Sequence, residues 1–175
     1  MNTRGVSSPR LLLALVAVAI ALTIAGAMSF VRYTRRAAPE AHRIVVAPFD
    51  IFATGIDGWR VQLARGLTDR IPAAMAGWTT VPQEVVAQRW KGQDRAEAAA
   101  VELARRTQAG IAVYGRVDSL GTDSVRVHVL LIDVTTTIVS NTIVVNLERR
   151  SSDAVADTVA ARIADLLVGP PQNPR

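Results

Sequence analysis

The run from Leu11 to Val31 holds no charged residue, and no other feature limits what this 175-residue chain can fold into as sharply. At a rise of ~1.5 Å per residue, a helix of that length reaches about 30 Å, the thickness of a bilayer's hydrocarbon core. A core helix of a small domain would show a polar face, and this run has none. The residues therefore predict a transmembrane helix over 11–31 whose partner is the lipid bilayer. A basic tail, 1–10, precedes it, and a polar linker, 32–42, containing Pro39, follows. Phe30, Tyr33, Arg35 and Arg36 resemble an interfacial anchor. Arg4 and Arg10 ahead of Ala25-Gly26-Ala27 also fit a signal peptide cleaved after Ala27. Because the run continues to Val31, beyond the ~7–15 residues of an ordinary signal core, we read an uncleaved signal anchor and keep cleavage as the alternative. Either way the rest of the chain is exported. Positive charges on the two flanks are nearly balanced, and the orientation taken is amino terminus inside, domain outside.

Charge placement sets the next limit. The net charge of +5 divides into +4 over residues 1–40 (Arg4, Arg10, Arg32, Arg35 and Arg36 against Glu40) and +1 over the remainder. A nucleic-acid domain needs its basic stripe on the folded surface, whereas here the excess flanks an apolar span, where anionic headgroups favour it. No nucleic-acid partner is expected. The absence of cysteine excludes disulfides, thiolate metal sites, cysteine nucleophiles and a lipid-bearing cysteine.

Residues 43–168 suit one α/β domain. Arg43-Ile44-Val45-Val46-Ala47-Pro48-Phe49 reads as a strand buried on both faces, and Asp50 to Gly58 as loop. Trp59, Leu63, Leu67 and Ile71 recur every fourth residue and predict a helix, with a kink or break at Pro72. Thr79 to Val81 is a short strand and Pro82 to Arg89 a short helix. Asp94 with Glu97 opens a helix whose small-residue face is Ala96, Ala100, Leu103, Ala104 and Thr107, and Gly110 ends it. Ile111–Ser119, Val125–Asp133 and Ile138–Leu147 form an antiparallel meander. Asp153 to Val168 closes the domain as a helix with Val155, Val159, Ile163 and Leu166 inward, and 169–175 is expected to be a disordered tail. The fold class is α/β: a mixed sheet containing a three-stranded antiparallel meander, packed against three to four helices, behind one transmembrane helix.

Catalytic motifs are missing. Gly55-Ile56-Asp57-Gly58 lacks the lysine of a phosphate loop, and the one lysine, Lys91, lies in another loop. His42 and His128 have no partner at metal-ligand spacing and read as surface residues. Asp118, Asp123 and Asp133 are the best carboxylate candidates. At ~3.3 Å per residue, however, Asp123 and Asp133 stand some 25–30 Å apart along the hairpin, too far for shared acid–base work or one cation. Asp123 reads as a turn residue, and Asp133 as a strand end that starts the next turn. Trp59, Trp78 and Trp90 suggest a stacking platform, but Trp59 falls on the helix's apolar stripe and core packing is the better reading. No catalytic, cofactor or metal residues are assigned, and no cofactor is expected.

In order and spacing, several short motifs resemble those of the amino-terminal domain of the translocation protein TolB and of related TolB-like and FlgO/CsgG-like domains. They are Ile44-Val45-Val46-Ala47-Pro48-Phe49, Gly66-Leu67-Thr68-Asp69, Trp90-Lys91-Gly92-Gln93-Asp94, Val113-Tyr114-Gly115-Arg116-Val117 and Leu131-Ile132-Asp133. The resemblance covers about residues 43–168. It implies an α/β domain without a known catalytic centre, used for protein–protein contacts in the bacterial cell envelope. The chain departs from the family at Pro72, at Thr136-Thr137 in place of a Thr-Gly turn, and in having no repeat or propeller within the residues after the domain. The expected function is a membrane-anchored, non-catalytic envelope module with a protein partner, periplasmic behind an inner-membrane span. The alternatives are an extracytoplasmic sensor with an apolar pocket near Asp50–Gly58, or an enzyme with an unrecognised site.

Overall fold

A computed structural model describes residues 38–91 and 96–169. The span Leu11–Val31 lies outside them, as do residues 92–95, which include the expected helix start at Asp94, and most of the tail. Among the described residues no helix is long and apolar enough to cross a membrane.

The elements run β1 (Glu40–Val46), β2 (Asp50–Ile51), α1 (Trp59–Ala74), β3 (Thr79–Thr80), α2 (Gln83–Arg89), α3 (Ala96–Thr107), β4 (Ala109–Ser119), β5 (Ser124–Asp133), β6 (Ile138–Glu148) and α4 (Ser152–Val168). They form one mixed sheet in the order β3-β1-β4-β5-β6, with β2 also on β4. β1 lies parallel to β3 and β4, while β4, β5 and β6 make the expected antiparallel meander.

Alternation along the strands divides the core in two. One face carries Ile44, Val46, Val113, Val117, Val125, Val127, Val129, Leu131 and Ile143, covered by α1 and α4. The opposite face carries Val45, Ala47, Ala112, Tyr114 and Ile132, covered by α2 and α3. Two glycines permit the closest contacts. A Cβ on Gly115 would stand 2.3 Å from the Phe49 ring, so that ring packs flat across the strand, and a Cβ on Gly66 would meet the Ala156 Cβ at 2.9 Å where α1 crosses α4.

Several expectations are corrected. Helix α1 runs unbroken through Pro72 to Ala74. A proline there cannot donate to the Thr68 carbonyl, and the Thr80 hydroxyl takes its place at 2.8 Å; Met75 N–H still reaches Ile71. α3 ends at Thr107 through Gln108, at φ +59°, rather than at Gly110. Gly110 instead lies in β4 because a Cβ would stand 2.6 Å from the Glu40 carbonyl. The stretch Asp50–Gly58 is not all loop: after Pro48 the chain resumes pairing as β2, Asp50 opposite Arg116. β1 begins at Glu40, inside the expected linker. Leu166 is 46% exposed, and Leu167 packs on the core instead.

Candidate interaction surface

The layer of helices on the α2/α3 side stops short. α3 packs on β1, on β4 and on the Ile132 end of β5, which leaves the same face open around Arg126 and His128 of β5 and Val144 and Asn146 of β6. Register places Arg116 opposite His128 and Asp118 opposite Arg126 on this face, with His128 in turn opposite Val144 and Arg126 opposite Asn146. Phe52, just after β2, is 66% exposed beside them, and Val144 is 52% exposed.

Between α3 and this open face lies a cavity of about 270 Å³ lined by Phe52, Glu97, Tyr114, Gly115, Arg116, His128 and Leu130. A second hollow of about 280 Å³ continues along α3 between Val101 and Ile132 to Val139. At the inner wall of the first, the Tyr114 hydroxyl donates to Asp50 Oδ2 at 2.6 Å, and Arg60 holds Asp50 Oδ1 at 2.9 Å. Burial first, and then the hydrogen bond to Asp50, raise the Tyr114 pKa well above the usual tyrosine value. The phenol therefore stays protonated at neutral pH and serves as a hydrogen-bond donor, not a base. At the rim, Asp118 Oδ2 lies 3.3 Å from Arg116 Nε and 3.5 Å from His128 Nε2. Exposed pairs of this kind contribute little to stability, about 0–1 kcal/mol, so their effect is on the charge pattern of the surface.

The three sequence-derived carboxylates are not gathered. Asp118 lies on the open face, Asp123 in the β4–β5 turn where its carbonyl accepts from Arg149 N–H, and Asp133 at the far end of β5. Asp133 caps its turn, accepting from Thr135 N–H at 2.8 Å and Thr136 N–H at 3.1 Å and from the Thr135 hydroxyl. The Thr135 hydroxyl first, then these backbone donors, hold its carboxyl below the usual carboxylate range. His42 is exposed on β1, its ring edge-on to Trp78 at 5.0 Å. His128 is half-buried, not a free surface residue. The three tryptophans make no platform, since Trp59 and Trp78 pack on one face of the sheet and Trp90 on the other. Among the described residues no cluster of three or more His, Asp or Glu could hold a metal ion, and no buried side-chain polar atom lacks a partner. Sequence reading missed the Asp50–Tyr114–Arg60 network. No local pattern announces it, since its members lie on β2, β4 and α1, far apart in the chain.

No family model matches this chain, and no curated protein matches it. Solved structures do. The carboxy-terminal domain of LpoB from Salmonella enterica superposes at a TM-score of 0.53 with 11% identity, covering 65% of this chain and 87% of that one. A PelC dodecamer from Paraburkholderia phytofirmans gives 0.49 at 15% identity, covering 70% and 86%. TolB from Acinetobacter baumannii gives 0.46 at 18% identity; 75% of this chain is covered but only 30% of that one. The likeness to LpoB shows the fold, and at such identity it shows nothing more.

Proposed function

We propose that this chain is a membrane-anchored, non-catalytic module of a bacterial cell envelope that binds a protein partner on the open half of its sheet. The observation that carries the reading is the uncovered face of β5 and β6, where Phe52 and Val144 stand exposed beside Arg116, Asp118 and His128. Exposed apolar side chains on either side of a row of charged ones, Arg116 and His128 between Phe52 and Val144, suit contact with a protein partner. Of the polar side chains that line the neighbouring cavity, Tyr114 is engaged by Asp50, and Arg116 and His128 by Asp118. The reading takes the anchor to be Leu11–Val31, in the inner membrane with the domain on the periplasmic side, supported by the length and uniform apolarity of that run. The TolB-like motifs and the fold shared with the LpoB domain support the envelope setting.

The cavity beside Phe52 favours a second reading, an extracytoplasmic small-ligand sensor. At about 270 Å³ it falls just under the ~300–1,000 Å³ of most ligand sites, so it fits a partner's single anchoring side chain better than a free metabolite.

Two measurements test the leading reading. The full chain should stay with membranes through salt and carbonate washes. A photo-crosslinking residue at position 52 should capture one defined envelope protein in native membranes, while the same residue at Val61, 55% exposed on α1, captures none. A chain released by carbonate overturns the anchor, and equal capture at both positions overturns the surface.

A further inference from the structure

We propose that two copies of this chain pair edge to edge through β6, antiparallel about a two-fold axis at Val144, so that their sheets join. This pairing rests on the edge strand alone, so it can fail without touching the open-face reading, and the reverse holds too.

The two edges of the sheet differ in a way that points to pairing. Edges that must stay unpaired are kept short or carry charges and prolines, because a long neutral edge offers a row of free backbone donors and acceptors to another strand. β3 is two residues long and meets that rule. β6 is eleven residues long, and from Ile138 to Leu147 it holds no charge and no proline. Ile138 is 63% exposed and Val139 41%. Its one irregularity is Ser140, left unopposed between the pairs Leu131–Asn141 and Ile132–Val139, with its hydroxyl donating to the Leu131 carbonyl at 3.0 Å. Beyond that bulge the strand is regular for eight residues, Asn141 to Glu148.

Ladder parity identifies the free groups. Arg149 N–H donates to the Asp123 carbonyl, and the register of β5 and β6 continues from that pair. In an antiparallel ladder hydrogen-bonded and non-bonded pairs alternate. Asn141, Ile143, Val145 and Leu147 therefore bond inward to β5, and the N–H and C=O of Thr142, Val144, Asn146 and Glu148 point outward.

The outward row is complementary to itself. A two-fold axis at Val144 sets Val144 against Val144 of the second copy and Thr142 against its Asn146, apolar on apolar and hydroxyl on amide. Glu148, already paired with Arg150, falls opposite Ser140 of the second copy and meets no like charge. Head-to-tail growth would need β3 to receive β6, and two residues are too few. The isologous arrangement therefore closes at two copies rather than running on into a fibre.

The natural chain has no cysteine, so one introduced cysteine reports one position. On the axis, Val144→Cys places two Cα atoms about 5.5 Å apart, within disulfide reach. In the full chain, in native membranes, mild oxidation should convert Val144→Cys to a covalent dimer several-fold faster than Val61→Cys. Val144→Pro removes only an outward N–H, so it should keep the far-UV spectrum and cooperative melt while the detergent-solubilised chain sediments as a monomer where the wild type is a dimer. Val144→Lys, which sets two ammonium groups against each other, repeats the test should the proline variant not fold. Equal crosslinking at positions 61 and 144, a wild-type chain that is monomeric at its highest soluble concentration, or a dimer that persists in the folded Val144→Pro or Val144→Lys variant overturns the pairing.

Discussion

Single residues in this domain compensate one another across elements. Pro72 deprives the Thr68 carbonyl of its helical donor, and Thr80, on a different element, supplies one. Thr80→Val should therefore leave a carbonyl without a partner and cost about 1–3 kcal/mol in urea unfolding. In a Pro72→Ala background, where residue 72 again has an N–H for Thr68, the same change should cost clearly less. Equal costs in both backgrounds would show that the hydroxyl does not replace the missing donor. Thr137 tells a related story at the β5–β6 turn. Its φ of +59° is a conformation that β-branched side chains disfavour. Thr137→Gly should raise stability by about 0.5–1 kcal/mol even though the Arg105 contact to the Thr137 hydroxyl is lost. A lower melting temperature for the glycine variant would mean that the Arg105 contact outweighs the strain.

At the scale of elements, periodic patterns were legible and isolated contacts were not. The stripe Trp59, Leu63, Leu67 and Ile71 predicts α1, and all four are buried. Leu67 is 1% exposed, so Leu67→Asp should cost more than about 4 kcal/mol and abolish the cooperative melt. A folded variant would show that the helix is turned the other way. The meander could be read because Val125, Val127 and Val129 alternate with Ser124, Arg126 and His128 in an apolar strand next to a turn sequence. β2 could not, since two residues are too few to show a period, and its pairing with β4 depends on residues far along the chain. The same holds for the Asp50–Tyr114–Arg60 network, whose members meet only after β2, β4 and α1 are assembled. Continuation of α1 through Pro72 was unreadable for a different reason: propensity gives the local cost of a proline, while the offset comes from tertiary structure. Leu166 lies three residues after Ile163 and falls outside, because the four-residue stripe Val155, Val159 and Ile163 continues inward at Leu167.

For the whole molecule, function follows from what the layers leave open. One face of the sheet is covered by α1 and α4, the other over β1, β4 and the Ile132 end of β5, and the open part holds a cavity and exposed Phe52 and Val144 on either side of Arg116 and His128. On the proposed anchoring, partners confined to the same membrane would meet the patch at raised effective concentration, so modest affinity would suffice. The central claim is that this patch acts by contact rather than by chemistry. The most direct test is complementation of a deletion strain with single variants at matched membrane abundance. Phe52→Asp should lose function, because it places a charge at an exposed apolar position of the patch without disturbing the core, whereas Asp50→Asn, Asp123→Asn and Asp133→Asn should each retain it. A Phe52→Asp variant with full function, beside a folded and abundant Asp50→Asn variant with none, would contradict the account and point to a chemical site in the cavity.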